Sequence, residues 1–161
     1  IPFEWENFET ILPNPINIQG LKFMKVIKSG KLAMLKNPSA ILKKNRNIKF
    51  NFDMMHGVGT MDKAINLLDN DNKDDFYNFV NSNTSFSPAN MFICRNKEKI
   101  NNFFEVLFPW LSKCEKLFGF NLEGYGKIRI YAFLCERFLP FWFNKNSKVL
   151  EWPIIFHDLR K

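Results

Sequence analysis

Apolar positions change their rhythm along this chain, and the changes mark its elements. From Lys97 onward, Ile100, Phe103, Phe104, Leu107, Phe108, Leu111 and Cys114 recur at helical spacing, with Leu117 and Phe118 extending the face. That pattern predicts a long amphipathic helix, kinked at Pro109. Asn121 to Gly124 predicts a turn. A second long helix follows from about Tyr125 to Phe143, with Ile128, Tyr131, Ala132, Cys135, Phe138, Leu139 and Trp142 as its stripe. Elsewhere the apolar runs are short. Ile11-Leu12-Pro13-Asn14-Pro15 predicts a strand entering an extended proline turn. Met91 to Cys94 predicts a buried strand, and Trp152 to Phe156 a closing one. Asp53 to Gly59 has the glycines of a loop. Thr60 is placed to cap a helix reaching about Leu68, with Asp62 in its first turn. Asp69 to Asp75 predicts a polar joint, Asp74 to Val80 a short helix, and Asn81 to Pro88 a loop. Many helices and few short strands, with no repeat and no boundary, predict one α/β domain over residues 1–161.

Charge alters this picture in one place. The chain carries a net +7, yet no acidic residue lies between Thr10 and Phe52. That window holds Lys22, Lys25, Lys28, Lys31, Lys36, Lys43, Lys44, Arg46 and Lys49, so it supplies the whole excess. Large apolar residues alternate with these cations, and two short helices broken near Gly30 and Pro38 would fit. Residues 16–51 therefore stand out as a basic amphipathic insertion. Three environments suit it: an anionic membrane surface, a polyanion, or water around a helical pair docked on the domain. No nucleic-acid motif accompanies it, so nucleic acid is not an expected partner.

Cys94, Cys114 and Cys135 are not paired at metal or redox spacing, which suits a reducing, cytoplasmic compartment. No apolar run approaches the length of a membrane span. The opening Ile1-Pro2-Phe3-Glu4-Trp5 lacks a start methionine, and the chain is expected to be part of a longer protein.

Candidate chemistry concentrates on the second long helix. At 100° per residue, Tyr125, Arg129 and Glu136 fall within about 40° of one another, on the edge of the apolar stripe. Arg137 is expected to face solvent. A half-buried carboxylate and guanidinium can orient a sugar hydroxyl or bind phosphate, and Glu136 could serve as a general base; an Arg–Glu pair can equally be a plain helix anchor. His56, between Asp53 and two glycines, could contact a ligand or a phosphate, act as a base, or be structural. His157 and Asp158 follow the last apolar run, where sites of α/β folds often lie. Asp69-Asn70-Asp71 has the letters of a cation-binding motif, but a helix end with a solvated acidic joint suits its surroundings better. There is no P-loop, nucleophile elbow, dinucleotide fingerprint or zinc pattern.

Several of these segments carry a family likeness. Pro88-Ala89-Asn90-Met91-Phe92-Ile93, Phe104-Glu105-Val106-Leu107-Phe108-Pro109-Trp110-Leu111, and Gly124-Tyr125 followed by Arg129 and Phe133-Leu134-Cys135-Glu136-Arg137-Phe138-Leu139 resemble a family of bacterial capsular-polysaccharide glycosyltransferases, catalogued mainly as a domain of unknown function. Ile11 to Pro15 resembles its Ile-Leu-Pro-X-Pro segment, and His56 with Asp62 its histidine before a helix. The resemblance implies the helix-rich C-terminal portion of a GT-A-like, Rossmann-type α/β domain. It implies a nucleotide-sugar donor and a glycan or lipid-linked glycan acceptor for a capsular or surface polysaccharide. Glu136 would be the catalytic residue, and Asn90, Arg129, Arg137, Tyr125 and His56 would contact substrate. The resemblance allows a divalent cation, magnesium or manganese, whose ligands are not identifiable in this chain. The family's N-terminal, donor-binding half has no counterpart here, and residues 16–51 are longer and more basic than its pattern. The expected place is the cytoplasm, with peripheral contact to the inner membrane. The competing expectation is a non-catalytic module that binds membranes or polyanions through residues 22–49.

Overall fold

A computed structural model describes residues 2–20 and 46–155, together with Lys31, Leu35, Pro38 and Leu42. Most of the basic insertion, the proposed breaks near Gly30, and His157 with Asp158 lie outside the described residues. Of the insertion's cations that are described, Lys31 is exposed, Arg46 is buried and Lys49 is paired with Asp62 at 2.9 Å.

Two small sheets frame one end. In the first, β1 (Thr10–Pro13) is central. All four of its residues are buried, as the apolar Ile-Leu core of the run demands. β4 (Ile93–Cys94) flanks it antiparallel and β5 (Val149–Trp152) flanks it parallel, with Thr10 opposite both Cys94 and Val149. The second sheet pairs β2 (Ile16–Asn17) with β3 (Ser85–Phe86) antiparallel.

Six α-helices carry the rest of the described fold. Asn47 caps α1 (Ile48–His56) by accepting from Phe50 N–H at 2.8 Å. The buried Asp53 carboxylate caps α2 (Thr60–Ile65), accepting from Gly59 and Met61 N–H at 3.1 and 3.3 Å. Asp69 caps α3 (Asn70–Ser82) through Asn72 N–H at 3.0 Å. Asn96 caps α4 (Lys97–Phe118). The short α5 (Tyr125–Ile128) then leads into α6 (Ile130–Asn146). Helices α4 and α6 pack on each other through aromatic rings. Phe76 of α3 lies at their centre, 5.9 Å from Trp110, 5.3 Å from Phe138 and 5.1 Å from Phe141 between ring centroids. Trp110 donates its indole N–H to the Ala64 carbonyl at 2.7 Å, so the largest core ring leaves no buried donor unmet. Phe52, Phe76, Phe86, Phe103, Phe138, Phe141 and Phe143 are core, whereas Phe3, Phe108 and Phe120 are exposed, and the fold is a helix-rich α/β domain with few short strands. No helix among the described residues is long and apolar enough to cross a membrane.

Several expectations need correction. His56 is not in a loop but closes α1. Thr60 is the first residue of α2 rather than its cap, because Gly59 holds the cap position in a left-handed conformation and Asp53 supplies the capping oxygens. Asp69-Asn70-Asp71 is not a joint after a helix but the start of α3. The run from Met91 forms a strand only at Ile93 and Cys94, and both Met91 and Ile93 are exposed, since β4 is an edge with β1 on one side only. The closing strand starts at Val149 and ends at Trp152. Helix α4 runs on through Pro109, which faces solvent; the carbonyl it leaves unbonded, on exposed Glu105, can take water. The second long helix breaks at Arg129 (φ −100°, ψ 18°), so helical phase does not carry across it. Ile128 is consequently exposed, and Arg137 is buried instead of facing solvent.

Candidate functional site

Glu136 and Arg137 occupy the middle of α6. The Glu136 carboxylate has two anchors. Its Oε1 accepts the Ala89 N–H at 2.7 Å, and its Oε2 pairs with Arg137 Nη1. Each oxygen retains one further acceptor site, and the side chain is 16% exposed, so water or a hydroxyl can reach it. Arg137 is 3% exposed. Its guanidinium lies 3.9 Å from the Phe86 ring centroid and 5.9 Å from that of Phe52, and Nη2 approaches Asn51 Oδ1 at 3.4 Å. Burial lowers its pKa to about 10, while Glu136 pulls the other way. Its Nε has no hydrogen-bond partner among the described residues.

The turn that Glu136 grips is unusual. Ala89 (φ 74°) and Asn90 (φ 51°) are both left-handed, the only non-glycine residues so placed among those described. Asparagine tolerates this region and alanine does not, at a cost of roughly 1–2 kcal/mol. The surroundings hold the turn in place. Ala89 is fixed by Glu136, and Asn90 donates Nδ2–H to the Ala132 carbonyl at 3.0 Å. Strain of this kind collects at functional sites. Asn90 also begins the lining of an open groove of about 470 Å³, whose other walls include Phe92, Trp5 and Trp152. The two tryptophans meet edge to face at 5.5 Å.

His56 lies below this surface, 2% exposed, between Phe52 at 4.4 Å and Phe133 at 4.5 Å. Its Nδ1 is 2.7 Å from the Gly126 carbonyl, which only accepts, so Nδ1 carries the proton and Nε2 keeps a lone pair. That Nε2 is buried with no partner among the described residues. Desolvation draws the imidazole pKa down to about 4; the Gly126 bond opposes this, Arg137 adds to it, and Glu136 opposes it. Gly126 must be glycine here, because a Cβ would stand 2.6 Å from the Met55 carbonyl oxygen.

Tyr125 and Arg129 form a second, exposed pair. Arg129 Nη1 donates to the Tyr125 hydroxyl, and its guanidinium sits 5.1 Å from that ring's centroid and 5.6 Å from that of Phe133. The structure thus joins Glu136, Arg137 and Asn90 directly. Phe133 links His56 to the Tyr125–Arg129 pair. Four contributors were invisible in the sequence. Asn51, Phe86 and Ala132 act through contacts distant along the chain, and Gly126 acts by lacking a side chain.

No group of three or more His, Cys, Asp or Glu side chains gathers among the described residues. Asp69 caps α3, with Oδ1 accepting from the Asn72 backbone N–H and side-chain amide. Burial pushes the Cys114 thiol up to about 12 and that of Cys135 to about 11, which removes both as nucleophiles at neutral pH.

The family model described as "Domain of unknown function (DUF4422)" matches residues 13–147. No curated protein and no solved structure matches the chain.

Proposed function

The chain belongs to the DUF4422 family, and on that premise we propose that it is the acceptor-side part of a GT-A-like glycosyltransferase, moving a sugar from a nucleotide-sugar donor to a growing capsular or surface polysaccharide. One observation carries this reading: the left-handed Ala89-Asn90 turn, held on α6 by Glu136, at the rim of an aromatic-walled groove. Sugar rings present C–H faces that stack on aromatic walls, and hydroxyls that need acceptors such as Glu136.

In this reading the acceptor hydroxyl donates to a free lone pair of Glu136. As its oxygen bonds to the anomeric carbon, the nucleoside diphosphate leaves with its electron pair and the hydroxyl proton passes to Glu136. The proton then moves on to water at the exposed part of the side chain. Asn90 orients the acceptor, and Arg129 is the accessible cation for a phosphate. His56 and Arg137 are too buried to touch substrate, and they position α5 and Glu136. A divalent cation, magnesium or manganese, would be held outside the described residues.

The test uses the intact protein, capsular oligosaccharide acceptors and a panel of nucleotide-sugars, with release of nucleoside diphosphate as readout. Glu136→Gln should lower turnover by about a hundredfold or more, and Asn90→Ala should raise the acceptor KM. Wild-type turnover in Glu136→Gln would remove the proposed base. Absence of release with every donor would sink the transferase reading itself.

A further inference from the structure

We propose that the groove beginning at Asn90 binds hydrocarbon, so that the acceptor is a sugar carried on an apolar chain. This rests on the transferase reading and names the acceptor class for the same site. The groove is one connected depression of about 470 Å³, within the range of ordinary ligand pockets. Ile11 to Pro13 of β1 form its buried part. Met91 and Ile93, exposed by 42% and 51%, open it to solvent, and Trp5 and Trp152 meet within its lining.

Polar capacity selects the occupant. None of the eleven lining side chains is charged, although 24% of the chain's residues are. Hydrogen-bonding groups are as scarce. Pro13 and Pro153 have no backbone N–H. Asn90 already donates to the Ala132 carbonyl, and the Trp5 indole N–H is buried. A saccharide lying along this groove would bring several hydroxyls per ring out of water, and each one left without a partner weakens binding. Methylene groups have no such need, and each one buried strengthens it.

Position joins this groove to the proposed base. Asn90 belongs to the lining and directly follows Ala89, whose N–H Glu136 accepts. A sugar with its reacting hydroxyl on Glu136 can thus lead its aglycone past Asn90 into the groove. Charged and polar groups of α6 face the sugar, and the uncharged groove takes the chain.

The experiment uses the intact protein and octyl maltoside brominated at the end of its chain, below its critical micelle concentration. Bromine quenches indole fluorescence on contact. The ligand should quench Trp5 and Trp152; unbrominated octyl maltoside should displace it and maltose should not. Trp110 and Trp142 are 2% and 5% exposed, so quenching should vanish in Trp5→Phe with Trp152→Phe. Met91→Ser with Ile93→Thr should weaken binding about tenfold or more without shifting the thermal midpoint, because both side chains are exposed. Met91→Leu with Ile93→Val should keep it. In turnover, an octyl aglycone on a mono- or disaccharide acceptor should lower KM about tenfold or more, for which burial of roughly two methylenes suffices. Met91→Ser with Ile93→Thr should erase that gap and leave KM for the free sugar unchanged. Three results overturn the proposal: no quenching of the wild type, quenching unchanged in Met91→Ser with Ile93→Thr, or a doubled solution mass that this variant abolishes while neither protein is quenched. Turnover without preference for the octyl chain removes the hydrocarbon assignment alone. Quenching without release from any donor removes the transferase reading, and the acceptor role with it.

Discussion

Acidification should destabilise this protein through His56. The folded chain keeps this imidazole buried and neutral, with a pKa of about 4 set chiefly by desolvation. In the unfolded chain it returns to about 6.5. Between those values the unfolded state binds more protons than the folded one. The contribution of His56 to stability is therefore complete above about pH 6.5 and is lost as pH falls toward 4. At about 1.36 kcal/mol per unit, the loss reaches about 2 kcal/mol at pH 5 and about 3 kcal/mol at pH 4. Typical domains have only about 5–15 kcal/mol in total. Asp53 works in the opposite sense. Desolvation raises its pKa, so protonation in its own range favours the folded state. The measurement must therefore be a difference. Urea unfolding curves at pH 7 and pH 5 would be compared for the wild type and His56→Phe, whose ring can occupy the same slot between Phe52 and Phe133 without titrating. The variant starts weaker by about 1–3 kcal/mol, since the Gly126 carbonyl loses its donor. The wild-type advantage should then shrink by about 2 kcal/mol on going to pH 5. An NMR titration of the His56 Cε1 proton checks the same point directly. A midpoint near 6.5 would refute the reasoning.

Two further outcomes test the strained turn and the buried pair. Ala89→Gly should leave stability unchanged or raise it by about 0.5–1 kcal/mol, because glycine relieves the left-handed cost and returns part of it as chain entropy; a urea midpoint that falls markedly would show that Ala89 is not strained. Arg137→Met should cost about 3–5 kcal/mol by leaving Glu136 without its cation, and adding Glu136→Gln should recover part of that loss in a double-mutant cycle.

The long-helix signals were legible because they are local. The spacing from Ile100 to Cys114 marks the face on which Phe103, Leu107 and Cys114 are buried, although Phe108, on that stripe, is exposed and Trp110, outside it, is buried. The position of Arg137 was not legible. Angular arithmetic begun at Tyr125 assumed one unbroken helix, whereas Arg129 resets the phase. Its burial also depends on Phe86 and Asn51, whose approach no neighbouring residue announces. His56 was misplaced because glycines at 57 and 59 resemble a loop, although Asn47 caps the preceding helix. Within the site, Asn90 and Glu136 were legible as individual residues. Their meeting was not, since it depends on a left-handed alanine that no propensity would suggest.

The parallel pairing of β1 with β5 has a consequence for how the chain is made. Glu9 and Lys148, which flank this pairing, are 139 residues apart. On a ribosome, α1 to α6 can begin to assemble as they emerge, while the fully apolar-packed Thr10–Pro13 waits as an open strand for its last partner. Such long-range closure is slow, and an unpaired edge invites pairing with other chains. Until β5 emerges, that edge of β1 is therefore open to such pairing.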